Sequence, residues 1–150
     1  MRILIQRVEE AKVLVLNEVV GRIDKGLLIF QGVEDDDDHH DIKWLVNKVV
    51  NLRIFNDSNN TMNLSVKDID GEILVVSQFT LMASIKKGNR PSYIKASNKD
   101  QANLMYKKFI SDLEFLLEKS VKSGIFRANM KVELINDGPV TIWMDSKDKQ

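Results

Sequence analysis

Apolar and polar residues alternate in short runs over the first third of the chain, a pattern typical of β-strands. These runs cover residues 2–8, 12–16 and 19–23, and an uninterrupted apolar run follows at residues 27–30. The polar pair Asn17-Glu18 supplies a turn between the second and third runs. We therefore predict a β-meander for this part of the chain.

Two later segments carry apolar residues at the spacing of one helix face. The first covers residues 42–52 and the second residues 99–119. Asp100 and Lys119 stand near the start and the end of the second segment, where the helix dipole favours an acid and a base respectively. We predict two amphipathic helices.

An acidic run with two histidines, residues 35–40, precedes the first helical segment. Carboxylates and imidazoles together suggest a metal site, but His39 and His40 lack the i, i+4 spacing that places two ligands on one helix face. Carboxylates are also favoured at a helix N-terminus, where they cap free N–H groups. We interpret the run as the solvated start of a helix.

The C-terminal part, residues 124–144, returns to β character. Residues 131–134 alternate, Asn136-Asp137-Gly138-Pro139 interrupts the pattern, and residues 140–143 resume it. Because proline is excluded from central ladder positions, the interruption is a turn, a bulge or an exposed edge. We predict a β-hairpin with a protruding tip.

The central stretch, residues 72–81, changes abruptly from apolar to polar. The run Ile73-Leu74-Val75-Val76 predicts a strand buried on both faces, and Ser77-Gln78-Phe79-Thr80 follows it directly. Two hydroxyls and an amide at the end of a buried strand either bond to local backbone groups or face a ligand. The residues alone leave both explanations open.

Two long helices among many strands indicate an α+β fold, in which the helices cover antiparallel β-sheets in a barrel-like or sandwich arrangement. The chain shows no composition shift, internal repeat or low-complexity segment. We expect residues 1–150 to form a single domain.

The charge balance excludes bulk attraction to nucleic acid, since 22 basic residues oppose 22 acidic ones. Residues 84–99 are an exception: they hold five basic residues and no acidic one, which fits either phosphate contact or a solvated loop. No apolar run approaches the ~20 residues that cross a bilayer. The absence of cysteine fits a cytosolic protein and excludes thiolate nucleophiles and cysteine-based zinc sites.

Familiar catalytic constellations are missing. The chain has no Gly-rich phosphate loop and no Gly-x-Ser-x-Gly segment, and both histidines lie in the acidic run, far from any plausible nucleophile. An enzyme with these residues relies on hydroxyls, backbone amides and groups of its substrate. Such a site suits hydrolysis of an activated bond, where stabilisation of the oxyanion is the chief need.

Three motifs in order along the chain resemble the D-aminoacyl-tRNA deacylase family. They are Ser77-Gln78-Phe79-Thr80-Leu81, then Lys87-Gly88-x-Arg90-Pro91-Ser92, and finally Asn136-Asp137-Gly138-Pro139-Val140-Thr141. Residues 1–8, 51–55 and 62–66 match as well, so the resemblance covers essentially the whole chain.

The resemblance implies a cytoplasmic homodimer that hydrolyses the ester between a D-amino acid and the 3′ end of tRNA. Because glycine has no side chain to reject, we expect mischarged glycyl-tRNA to be an additional substrate. The resemblance implies no metal, no other cofactor and no membrane, and it implies that L-aminoacyl-tRNA is spared. The alternatives are a tRNA-binding module without catalysis, an editing domain for a misattached L-amino acid, and a purely structural domain.

The resemblance also implies residue roles. Ser77, Gln78, Phe79 and Thr80 line the catalytic pocket, and backbone N–H groups near Phe79 and Thr80 form the oxyanion hole. A cis Gly138-Pro139 tip enters the other subunit's site, holds the substrate amino group and blocks L side chains. Arg7 fixes that tip, and Phe126 and Met130 lie near the terminal adenosine.

The chain departs from the family pattern at Arg127, where a glycine is usual, and at Met82 and Ile85, where more polar or aromatic residues are common. Two mechanisms fit the implied site: Thr80 attacks the ester, or water attacks with help from the ribose 2′-OH. A threonine nucleophile needs an adjacent base, and the sequence places none beside Thr80. We favour the substrate-assisted route.

Overall fold

The computed structural model describes residues 1–149 and confirms an α+β fold with two main helices. Its elements in chain order are β1 (Arg2–Val15), β2 (Glu18–Ile23), β3 (Gly26–Gly32), α1 (His39–Asn51), β4 (Phe55–Asn56), β5 (Met62–Leu64), β6 (Glu72–Ser77), a short 3₁₀ helix (Phe79–Met82), α2 (Lys99–Leu117), β7 (Lys122–Ser123) and β8 (Lys131–Asp145). None of the helices in residues 1–149 is long and apolar enough to cross a membrane.

The main sheet is mixed rather than antiparallel throughout. Its strand order is β2-β1-β3-β6-β7, and β8 pairs with β1. Strand β1 is antiparallel to its partners, whereas β3–β6 and β6–β7 are parallel pairs. The parallel pairs follow from the helices, because α1 and α2 supply the crossover connections that parallel neighbours require.

The sheet curls into a nearly closed barrel. Strand β2 approaches β7 so closely that a Cβ atom on Gly21 would lie 2.7 Å from the carbonyl oxygen of Ser123. A side chain at Gly21 would therefore push the two strands apart. The strands β4 and β5 form a separate two-stranded sheet.

Two apolar clusters pack against the two faces of the sheet, and β6 contributes to both. Ile73 and Val75 face the cluster that includes α1 and α2, while Leu74 and Val76 face the inside of the curl. All four side chains are at most 1% exposed. The prediction of a strand buried on both faces is confirmed.

Strands β1 and β8 differ from the sequence predictions. The two short runs at residues 2–8 and 12–16 form one continuous strand, β1, whose pairing with β8 shifts around Val8. The predicted C-terminal hairpin is wrong, because both halves of β8 pair antiparallel with β1. Asn136 lies opposite Val8 and Thr141 opposite Gln6, so residues 137–140 form a bulge and the chain does not reverse.

Helix α1 begins at His39, so the run at residues 35–40 forms the start of the helix, as predicted, but Asp37 within the run is buried and not solvated. Asp38 caps the helix: its carboxylate accepts the N–H groups of His40 and Asp41, and the Asp41 carboxylate accepts the N–H of Asp38. This reciprocal arrangement is a capping box. Asp38, His39 and His40 are exposed, and their potential ligand atoms lie within 4.8 Å of one another.

Candidate active site

A cleft of about 500 Å³ opens at the carboxyl ends of β3 and β6. Two adjacent parallel strands end here and their chains leave toward different elements, the arrangement that creates ligand crevices in sheets with parallel strands. The start of α2 and the segment before β8 close the other sides. The lining residues are Gln31, Gly32, Val33, Ser77, Gln78, Phe79, Ala96, Ser97, Lys99, Ala102, Tyr106, Phe126, Arg127, Ala128 and Met130.

The cleft brings together five of the nine site residues expected from the sequence: Ser77, Gln78, Phe79, Phe126 and Met130. Thr80 is the next residue along the chain and does not line the cleft itself. Its hydroxyl oxygen accepts a hydrogen bond from the side-chain amide of Gln78. The central stretch and the segment before β8 thus meet in space although about 50 residues separate them in the chain.

The backbone at the end of β6 presents two free donors. The N–H of Gln78 donates to the carbonyl oxygen of Gln31 over 2.7 Å, which ends the strand pairing. Phe79 and Thr80 then open the 3₁₀ helix, where the first N–H groups have no intrahelical acceptor. Neither donates a backbone hydrogen bond elsewhere in residues 1–149. Phe79 lines the cleft, and Thr80 is the residue next to it in the chain.

The cleft is electropositive and holds no side-chain base. Lys99 and Arg127 line it, and no aspartate, glutamate or histidine does. The phenol of Tyr106 donates to the carbonyl oxygen of Val75 over 2.8 Å. Burial raises the pKa of Tyr106 to about 12, against the opposing effect of hydrogen bonds with Ser123 and Gly124. The phenol therefore stays protonated near neutral pH.

Gly138 and Pro139 lie in the bulge of β8, and Arg7 lies beside the bulge on β1. Gly138 and Pro139 are exposed and joined by a cis peptide bond, as expected from the resemblance. Arg7 is 6% exposed, and its Nε donates to the carbonyl oxygen of Asp137 over 3.1 Å. The same Nε forms an ion pair with the Asp137 carboxylate, also at 3.1 Å. The Nη1 of Arg7 donates to the carbonyl oxygen of Ile54. Arg7 thus connects the base of the bulge to the chain that follows α1.

The bulge and the cleft lie apart within one chain. Arg7 pairs with Leu27 on β3, whereas Ser77 pairs with Gln31, four residues farther along the same strand. Four residues of strand correspond to about 13 Å. The strands β1 and β3 also separate β8 from β6. The expected site residues therefore fall into two groups on one chain.

Gln31 and Tyr106 are cleft residues that the sequence analysis missed. Gln31 stands near the end of the buried strand β3, in register with Ser77, and is 2% exposed. Gln31 directly follows the apolar run at residues 27–30, just as Ser77 follows the run at residues 73–76. The same pattern could therefore have identified Gln31 as a candidate site residue. Tyr106 falls on the apolar face of a helical pattern, which predicts a core position.

Comparison with known proteins gives consistent matches over the chain. A sequence model of the family described as D-Tyr-tRNA(Tyr) deacylase matches residues 4–145. The chain is 60% identical to the D-aminoacyl-tRNA deacylase of Flavobacterium psychrophilum and 55% identical to that of Flavobacterium johnsoniae. Each comparison covers 150 residues and 100% of both chains.

Two solved structures have the same fold. The c-Myc DNA unwinding element binding protein superposes with a TM-score of 0.91 at 37% identity, over 97% of this chain and 98% of that one. A probable eukaryotic D-amino acid tRNA deacylase superposes with a TM-score of 0.82 over 95% and 97% of the two chains, and at 17% identity this likeness shows the fold alone. From the sequence matches, the chain belongs to the D-Tyr-tRNA(Tyr) deacylase family.

Proposed function

We propose that the chain, acting as one domain in a cytoplasmic homodimer, hydrolyses the ester bond of D-aminoacyl-tRNA and of mischarged glycyl-tRNA. It releases the free amino acid and tRNA and spares L-aminoacyl-tRNA. The observation that carries the proposal is the pair of free N–H groups at Phe79 and Thr80, beside a cleft without a side-chain base. The family membership supplies the substrate class.

The two N–H groups act as the oxyanion hole. The ester carbonyl oxygen lies against them, so the negative charge of the tetrahedral intermediate forms where two donors already point. Water attacks the carbonyl carbon, the terminal ribose 2′-OH relays its proton, and the 3′ oxygen of the ribose leaves as a hydroxyl. Because an aminoacyl ester is already activated, this route needs no base from the protein.

The side chain of Thr80 has a positioning role in this mechanism, whereas its backbone N–H binds the oxyanion. Its hydroxyl oxygen accepts from the Gln78 amide, and no carboxylate or imidazole lines the cleft to take its proton. A threonine nucleophile requires such a base. Phe126 and Met130 offer apolar contact for the terminal adenosine on the opposite wall of the cleft.

The tip of Gly138 and Pro139 serves the cleft of the partner subunit. Three observations support this assignment. The tip is exposed, it lies far from the cleft of its own chain, and Arg7 fixes its base through a hydrogen bond to Asp137. The carbonyl groups of the tip bind the substrate ammonium, and its backbone stands where an L side chain would project. Rejecting L substrates by a factor of about 10⁴ corresponds to about 5.4 kcal/mol, a cost that a rigid steric wall supplies.

The decisive experiment measures amino acid release from D-tyrosyl-tRNA and L-tyrosyl-tRNA by the purified protein. We expect rapid release from the D substrate alone. Binding without release would instead identify a tRNA-binding module, and release of the L amino acid would identify an editing domain for L residues. Absence of both binding and release would leave a purely structural domain.

A further inference from the structure

The segment between the 3₁₀ helix and α2 reaches the cleft at its C-terminal end, where Ala96 and Ser97 line it. Ser84 and Ser92 form a bridge with N–H to carbonyl distances of 2.8 and 2.9 Å, which closes the loop between them. At the far end, the N–H of Ser97 donates to the carbonyl oxygen of Val33. Val33 and Ser97 both line the cleft, so the segment is anchored at its rim.

This segment is a local excess of positive charge in a neutral chain. Its basic residues are Lys86, Lys87, Arg90 and Lys95, and Lys99 follows as the first residue of α2. Within residues 1–149 none of them forms an ion pair, and neither does Arg127 on the cleft wall. The nearby Glu34 is paired with Arg2 at 3.3 Å, and Asp35 accepts the N–H of Asn98. The positive charge is therefore available to a ligand.

The same rim presents two aromatic rings. Phe79 and Tyr93 meet edge to face, with ring centroids 5.0 Å apart and planes inclined by 69°. The side chains are 58% and 38% exposed, although such residues are usually covered in a folded chain. Aromatic surface among unpaired cations is the combination that binds single-stranded nucleic acid, by base stacking and phosphate contact.

We propose that this rim binds the unpaired nucleotides that precede the terminal nucleoside of the tRNA substrate. A base stacks on Tyr93, and Lys87, Arg90, Lys99 and Arg127 contact the phosphates. The inference rests on the proposed function for the identity of the strand, and it assigns residues outside the reacting centre. It also gives Arg127 a role, since Arg127 lines the cleft together with Lys99.

The first test compares a long and a short substrate. The ratio of kcat/KM for D-tyrosyl-tRNA to kcat/KM for D-tyrosyl-adenosine should fall at least about fivefold in Tyr93→Ala, because stacking on an aromatic residue contributes at least ~1 kcal/mol per base. Tyr93→Phe keeps the ring and should restore the ratio. If Tyr93→Ala leaves the ratio unchanged, the proposal is wrong. This includes the outcome in which kcat/KM falls equally for both substrates, because such a fall indicates a disturbed Phe79 and not a lost stacking contact.

The second test measures the salt dependence of kcat/KM for D-tyrosyl-tRNA. Removing one phosphate contact from a single strand should reduce the slope of log(kcat/KM) against log salt by about 0.7. We expect that change in Arg90→Ala and in Arg127→Gly. Lys25→Ala is the matched control, because Lys25 is exposed near Glu72, at the end of β6 far from Ser77. Equal slopes in all four proteins contradict the proposal.

The third test separates this inference from the proposed function. A fluorescent single-stranded RNA with the 3′-terminal sequence of tRNA should bind the wild type and bind Tyr93→Ala at least about fivefold more weakly. Such binding in a protein that releases no D-amino acid would refute the proposed function and leave the rim assignment standing. If the protein releases D-amino acids selectively but Tyr93→Ala binds the RNA as tightly as the wild type, the proposed function is supported and the rim assignment is refuted.

Discussion

The N–H groups of Phe79 and Thr80 are backbone atoms, so side-chain truncation leaves them in place. Phe79→Pro removes one of them, because proline has no N–H and tolerates the first position of a helical turn. Phe79→Ala removes the ring and keeps the N–H. We expect kcat to be about 10²- to 10³-fold lower in Phe79→Pro than in Phe79→Ala, because this is the usual effect of losing one oxyanion donor. Stopped-flow deacylation of D-tyrosyl-tRNA measures the difference.

The control for this pair is the thermal unfolding midpoint, which should be similar in the two variants if the 3₁₀ helix is intact. Equal kcat values in equally folded variants would show that this N–H does not bind the oxyanion.

The Thr80 hydroxyl distinguishes the two mechanisms. In Thr80→Ala we expect the single-turnover rate to stay within about tenfold of the wild type, whereas loss of a covalent nucleophile costs on the order of 10⁴-fold or more. Quenched-flow measurement with enzyme in excess gives that rate, and Thr80→Ser, which keeps the hydroxyl, serves as the control. Near-total loss in a folded Thr80→Ala, rescued by Thr80→Ser, would instead favour the acyl-enzyme.

Helix α1 makes the stability of the chain dependent on pH. Burial alone would raise the pKa of Asp41, but hydrogen bonds from Asp38, Ser146 and Lys147 outweigh it and lower the pKa to about 2. The Lys147 ammonium lies 2.9 Å from this carboxylate. Because the pKa is lower in the folded chain than the ordinary value of 3.8, the interaction stabilises the fold above about pH 4 and is lost as the pH falls toward 2.

Asp41→Asn removes this titration. The free energy of unfolding, measured by urea denaturation, should therefore fall less steeply between pH 5 and pH 2 in the variant than in the wild type. The variant should also be less stable at pH 7, since Lys147 loses its nearer anionic partner and keeps Asp37, at 3.9 Å. Identical slopes below pH 5 would mean that Asp41 does not contribute to acid unfolding.

Elements defined by local periodicity were predictable from the sequence. The helices follow from apolar spacing, and β6 follows from four consecutive buried residues. The break at Gly138-Pro139 was visible, but a reversal and a bulge produce the same local pattern. Only pairing with β1, which lies about 130 residues earlier, distinguishes them. The parallel pairing of β3 with β6 is equally nonlocal.

The candidate site was predictable only in part for a related reason. The change from apolar to polar residues marked Ser77 to Thr80, since polar residues directly after a buried strand need partners. The contribution of Gln31 depends on its register with Ser77, and that register is set across the sheet. The separation of the tip from the cleft depends on the strand order, which no short pattern contains.

At the scale of the whole molecule, the proposed active site is shared between subunits. Gly138→Ala should disable the tip, because φ is +129° and an added Cβ would lie 2.8 Å from Cγ2 of Val140 and 3.0 Å from Nη2 of Arg7. Phe79→Pro disables the cleft. A purified hybrid dimer of the two variants should recover about half of the wild-type activity, since one of its two sites receives an intact tip and an intact cleft.

The two variant homodimers, prepared in parallel, should remain nearly inactive. If the tip instead serves the cleft of its own chain, each site of the hybrid contains one disabled part. The hybrid should then be as inactive as the two homodimers. Differently tagged subunits and two successive affinity steps yield the hybrid for the assay.

The bulge in β8 divides that strand into two separately anchored halves. Val132 and Leu134 before it pack against the inside of the curl, while Val140, Ile142 and Met144 after it pack against the cluster beneath the helices. A slip of either half by one residue would turn its apolar side chains outward. A change in the number of tip residues is therefore absorbed locally, so the tip is free to vary in length while the barrel keeps its alignment.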